Sequence, residues 1–192
     1  MLDTHRGRVV HFTPSASFAY EYKGDNTSLF SPSDIISKDG KLYVSNYLGN
    51  VHIYDKNSGV QLNKFGISGI NQTQMNGTSS IAVDSNSNIH IIQQANRKVD
   101  IYSSNGAYLS SYASEVATPS IIRIDSKNGN IYIADAHKGI VYVYDAALKF
   151  INSIELITQN NQIAQPLEMQ LYNNTLYVFA NPSITKISVK AA

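Results

Sequence analysis

Apolar and polar residues alternate along most of the chain, in runs of five or six separated by short polar breaks. The clearest runs are "KLYVSN" from Lys41, "NIHIIQ" from Asn88, "NIYIAD" from Asn130 and "TLYVFA" from Thr175. A period of two is that of an extended strand with its side chains sent alternately to opposite faces. A shorter apolar stretch precedes each run: "SDIISKDG", "SSIAVDSNS", "SIIRIDSKNG" and "LEMQLYNN". A β-branched or aromatic strand follows each: "NVHIYD", "KVDIYS", "IVYVYD" and "ITKISV". After the first three units comes one more amphipathic stretch, "VQLNKFG", "AYLSSYA" and "KFINSIE". The pattern predicts four strands per unit, recurring roughly every 40 to 48 residues.

The breaks carry the chemistry of tight turns. "SKDGK", "DSNSN", "SKNGN" and "YNNT" fall at one point of the unit and supply Gly or Asn, which accept positive φ in a hairpin. No stretch of helical period competes. "ELITQNNQIAQPLEMQ" has the length for a helical turn, but its Asn pair and Pro166 favour a loop. A single four-stranded sheet leaves both faces wet, so such units must stack face to face around an axis. The expected fold is all-β, a β-propeller of four-stranded antiparallel blades, with four to five blades present.

The motifs also resemble the NHL class of propeller repeat and, more loosely, the YVTN class. A Pro or Ser opens the innermost strand ("SPSDI", "GTSSIAV", "TPSIIRI", "QPLEMQL"), and an Asp precedes the hairpin at Asp84 and Asp125. "IYIAD" leads into a polar loop, and an aliphatic-aromatic strand ends in "YD". The fullest copy runs from Thr118 to Ile154. NHL-type rings resemble six-bladed structures, of which this chain would on one reading supply part, and the resemblance implies little about function, because propellers host binding modules and enzymes alike.

The chain opens inside a unit. "MLDTH" matches the end of a second strand, "RVVHFT" a third and "FAYEY" a fourth, so Asp3 and His5 fall where Asp135 and His137 fall. One domain over 1–192 is expected: a partial blade at 1–30, blades at 31–76, 77–117 and 118–164, and a partial blade at 165–192. Both ends bring a third strand, so simple closure leaves one strand without a place. Two readings stay open: a small four- or five-bladed closure in which the N-terminal strand completes the last blade, and, favoured by that misfit, a piece of a larger ring whose open edges invite an oligomer.

Composition narrows the partners. A net charge of +1 argues against nucleic acid, which needs a clustered basic face. No apolar run has the length of a membrane span, so no membrane insertion is expected. There is no Cys, which removes disulfides and thiolate metal sites. A surface rich in Asn, Ser, Gln and Tyr leans towards an extracellular or cell-surface setting.

Candidate chemistry is sparse. His5 and His137 share one kind of loop, and NHL-like lyases, which this chain resembles, use channel metals. "DSNSN" and "DSKNGN" begin like calcium loops, but the twelfth positions are Ala95 and Ala136 where an EF-hand needs Glu. There is no G-x-S-x-G nucleophile motif. The Asp residues recur from unit to unit, as structural residues do, whereas an active site breaks symmetry. N-x-S/T sequons stand at Asn26, Asn71, Asn76 and Asn173.

The expected function is a non-enzymatic binding or scaffold propeller, without cofactor, that presents loops to a protein or glycan. The turns between second and third strands share one face, giving the candidates Asn46, Tyr47, Asn50, Gln94, Asn96, Arg97, Asp135, His137, Lys138 and Asn181. The alternatives are an NHL-like lyase or hydrolase with a channel metal, and a structural subunit of an extracellular assembly.

Overall fold

The computed structural model describes residues 1–22, 31–69, 71, 74–113, 115–157, 162–173, 175–181 and 183–188 of the 192, the last of these segments by its backbone. Among the described residues every regular element is a β-strand, and the strands form five antiparallel sheets. The first sheet holds β1 (Leu2–Asp3), β2 (Arg8–Phe12) and β3 (Phe18–Tyr22). The second holds β4 (Pro32–Lys38), β5 (Lys41–Asn46), β6 (Val51–Asp55) and β7 (Gln61–Phe65). In the third are β8 (Thr78–Val83), β9 (Ile89–Gln93), β10 (Lys98–Tyr102) and β11 (Tyr108–Tyr112). The fourth is β12 (Pro119–Ile124), β13 (Ile131–Asp135), β14 (Ile140–Tyr144) and β15 (Phe150–Glu155). The fifth is β16 (Gln165–Tyr172), β17 (Thr175–Asn181) and β18 (Ser183–Ser188). Strands pair in chain order within each sheet, so each is an up-and-down meander, and the fold is propeller-like.

Local chemistry explains the meander. Asp39 and Gly40 both take positive φ, 48° and 73°, in the two-residue turn where Lys38 pairs with Lys41. Only Gly and short polar residues enter that region cheaply, and a turn of this kind matches the twist of the strands it joins. Asp side chains close the longer turns. Asp55 Oδ1 accepts from Asn57 N at 3.1 Å and Ser58 N at 2.7 Å, and Asp145 Oδ1 accepts from Ala147 N and Lys149 N at 2.9 Å.

The core lies between sheets. Four clusters of buried residues fill the four gaps between consecutive sheets, for example Val9, Tyr22, Leu42, Val44 and Tyr54 between the first and second. One contact repeats. An aromatic of the outermost strand packs on the tyrosine at or next to the end of the third strand of the next sheet: Tyr22 on Tyr54, Phe65 on Tyr102 and Tyr112 on Tyr144, with ring centroids 5.6, 5.5 and 5.8 Å apart. Such tilted or edge-on pairs contribute about 0.5–1.5 kcal/mol beyond the area they bury. At the corresponding place in the fourth sheet, Ile154 packs against the last cluster. Each such tyrosine also sits at a shift of register against the outermost strand, and bulges of this kind sharpen the local twist. Gly106 makes room for Phe65: a Cβ there would meet the ring at 2.4 Å.

Candidate functional site

The turn between second and third strands leans, in each four-stranded sheet, on the residue leading into the innermost strand. Tyr47 N donates to Ser31 O, Gln94 N to Gly77 O and Ala136 N to Thr118 O. The turns and the starts of the innermost strands therefore share one face. One position organises each turn from beneath. Asn46 Oδ1 accepts from Asn50 N at 2.8 Å. Gln93 Oε1 accepts from Asn76 N at 3.1 Å and Asn96 Nδ2 at 2.8 Å, while its amide donates to buried Asp100. Asp135 is wholly buried and accepts from Ala117 N, Thr118 N, the Thr118 hydroxyl, His137 N and Lys138 N. Burial alone would raise its pKa, but the hydrogen bonds from Thr118, Lys138 and His137 outweigh that and bring it below the ordinary carboxylate value.

The ten predicted residues thus divide. Asn46 and Asp135 are buried and hold the turns from inside. Asn50 and Asn96 are half-buried and spend their amides within the chain, Asn50 Nδ2 on Gly66 O at 2.8 Å and Asn96 Nδ2 on Gln93. Tyr47, Gln94, Arg97, His137, Lys138 and Asn181 are exposed. Tyr47 is 57% exposed beside Leu48 at 45%. Sequence reasoning passed over Leu48, although it sits at a turn tip where an apolar residue is out of place. His5 is exposed in the turn of the first sheet. Among the described residues no group of three or more His, Asp or Glu side chains is placed to hold a metal ion.

A second arrangement escaped the sequence altogether. The innermost strands β4, β8, β12 and β16 neighbour one another in order, and Arg123 of β12 ties them together. Its Nη1 donates to Asp34 Oδ2 at 3.0 Å, Ser80 Oγ at 3.1 Å and Ile122 O at 2.7 Å. Its Nε reaches Met169 O at 2.8 Å and its Nη2 reaches Glu168 Oε1 at 2.6 Å. Arg123 lines two hollows. One, about 250 Å³, opens on the turn face among Ser33, Ser79, Ser120 and Leu167. The other, about 260 Å³, lies at the far ends of the same strands among Asp125, Lys127, Gln170 and Tyr172. The available signal was a charged residue inside an otherwise apolar strand, in "PSDII", "IIRI" and "PLEMQ". The partners stand 89 and 45 residues apart, so no local spacing announces them.

Buried His90 bridges strands inside the third sheet. Its Nδ1 lies 2.9 Å from Tyr112 Oη and its Nε2 3.4 Å from Asp84 Oδ2. Burial tends to raise the Asp84 pKa, but hydrogen bonds from His90 and Asn88 outweigh it and hold it at about 2. The Tyr112 hydroxyl is pushed well up, chiefly by burial. The chain is satisfied at every link and has the character of a structural bridge.

No family model and no curated protein matches the chain. Solved structures do. It is similar to a protein described as the extracellular domain of a hybrid two-component system from B. thetaiotaomicron, with 17% identity and a TM-score of 0.68, over 96% of this chain and 26% of that one. It is similar to a catalytically inactive variant of virginiamycin B lyase from Staphylococcus aureus, solved with quinupristin, with 13% identity and a TM-score of 0.73, over 98% of this chain and 61% of that one. A protein of unknown function from Bacteroides caccae matches with 16% identity and a TM-score of 0.68, over 90% and 64%. The chain spans about a quarter of the first of these proteins and under two thirds of the others. At such identities the likeness is one of fold.

Proposed function

We propose that this chain is a non-catalytic recognition or scaffold domain of NHL-like propeller type, forming one domain, that captures a protein or glycan on its turn face. The observation that carries this reading is the pairing of exposed tips with buried anchors. Tyr47, Gln94, Arg97, His137 and Lys138 project from turns fixed by Asn46, Gln93 and Asp135. A side chain held on a rigid turn loses little freedom on binding, and Tyr and Arg are the types that most often dominate recognition surfaces. An extracellular setting fits the Asn-, Ser- and Tyr-rich surface and the description of one structural neighbour.

The test is to screen the protein against an array of oligosaccharides and a displayed peptide library. The strongest binder is then titrated against the double variant Tyr47→Ala, Arg97→Ala. Binding should weaken about tenfold or more while thermal unfolding stays unchanged. Undiminished binding by the variant would reject the turn face as the site. Stoichiometric zinc or calcium in the purified protein would instead favour the lyase-like alternative with a metal at His5 and His137.

A further inference from the structure

The geometry points to the hollow above Arg123 as a second site, one that receives an alkylammonium group. The inference stands apart from the turn-face reading, because the hollow is built by the innermost strands and not by the turn tips.

The hydrogen-bond inventory of the lining sets the chemistry. Most of its side-chain donors are engaged, and the Ser33 hydroxyl pairs with Ser45 Oγ at 2.9 Å. Ser79 Oγ donates to Ser120 O at 3.1 Å, Ser120 Oγ to Ala134 O at 3.3 Å and Ser80 Oγ to Asp34 Oδ2 at 2.5 Å. All three guanidinium nitrogens of Arg123 are engaged as well. What remains is mostly acceptor capacity. A hydroxyl that has donated keeps lone pairs, and Glu168 uses Oε1 for Arg123 and for Met169 N, with no bond from the described residues to Oε2. A guest that brings donors, above all to Glu168 Oε2, therefore suits this lining best.

Charge narrows the guest further. Asp34 and Glu168 stand against the single cation Arg123, which leaves one formal negative charge in the lining. An anion is repelled, and one cationic guest makes the hollow neutral. Shape supplies the rest. Ile121, Pro166 and Leu167 form an apolar side, and Leu167 is 67% exposed, so there is a surface for a short alkyl chain beside the polar end. At about 250 Å³ the hollow is smaller than the roughly 300–1,000 Å³ clefts that take drug-sized ligands. A primary ammonium on a short alkyl chain meets all three conditions. It is the end of a free amine or of a lysine side chain on a docked protein.

Ligand-observed NMR titration of the intact chain tests this with five probes. n-Butylammonium and the capped amide of Nα-acetyl-lysine should both bind saturably. Tetramethylammonium (the same charge without N–H donors), propionate and glucose should not. A markedly tighter lysine amide assigns the guest to a protein side chain, and a tighter butylammonium assigns it to a free amine. Glu168→Gln should weaken the ammonium about tenfold or more, since a charge-assisted hydrogen bond is lost. Glu168→Lys, which places a cation in the hollow covalently, should abolish binding. Tyr47→Ala should leave it unchanged, which separates this site from the turn face. The inference is overturned if no ammonium binds, if glucose or propionate binds as well, if tetramethylammonium binds equally, or if Glu168→Gln binds like the original chain.

Discussion

The first and fourth sheets carry the same D-x-H turn, and it does different work in each. In the fourth sheet Asp135 is wholly buried and gathers donors from the segment that enters its own innermost strand, Ala117 and Thr118, as well as from its own turn. The first sheet is described without an innermost strand, and Asp3 turns to what is near: Arg6 N at 3.1 Å and the Arg8 guanidinium at 2.9 Å. The hydrogen bond from Arg8, more than any other influence, lowers the Asp3 pKa. Arg8 also reaches Glu21 at 3.2 Å, so the three charges form a polar layer over that sheet. The same contrast holds for the aromatic ladder. Tyr54, Tyr102 and Tyr144 are at most 2% exposed beneath the preceding sheet, whereas Phe12, at the matching place in the first sheet, is 41% exposed. A repeat position thus has no fixed energetic role. Its role comes from the neighbour that covers it.

Mutation can break this comparison, and the ladder should respond most. Tyr144→Ala should cost about 3–5 kcal/mol in chemical denaturation, as for other buried aromatics, and Phe12→Ala well under about 1 kcal/mol. Equal costs would show that the covering sheet does not decide the outcome. Asp135→Ala should come next, at about 2–3 kcal/mol, because it leaves several buried donors unpaired. Asp3→Ala should cost clearly less than Asp135→Ala in the same measurement, since its ion pair is partly exposed. Acid then sharpens the picture within the third sheet. The Asp84 pKa is lower folded than its ordinary 3.8, so its contribution is present above about pH 4 and is lost as pH falls towards about 2. A stability–pH curve should show that loss in the original chain and much less of it in His90→Ala. The smallest effect belongs to the turn tips. Tyr47→Ala should alter stability by no more than about 0.5 kcal/mol while weakening partner capture, as expected for an exposed side chain.

Much of the fold was legible because its causes are local. Period-two alternation, the Asp-Gly and Asn-rich turns and the recurring tyrosines each act within a few residues, so the strands and their meander order could be read from the chain. The shared face of the turns was legible for the same reason. What stayed hidden was which turn residues point outward: Asn46 and Asp135 carry polar side chains that suit a binding surface, yet both are buried as anchors.

By itself, then, the sequence determined strand identity, turn chemistry and the repeat, all of which depend on backbone preferences and on side chains close in the chain. The tertiary structure alone decided which copies of a repeated residue are covered, and it alone assembled Asp34, Ser80, Arg123 and Glu168 on the innermost strands. The physical reason is that burial and charge pairing depend on distance in space. Residues 89 positions apart acquire a common electrostatic environment only when stacked sheets bring them to one axis.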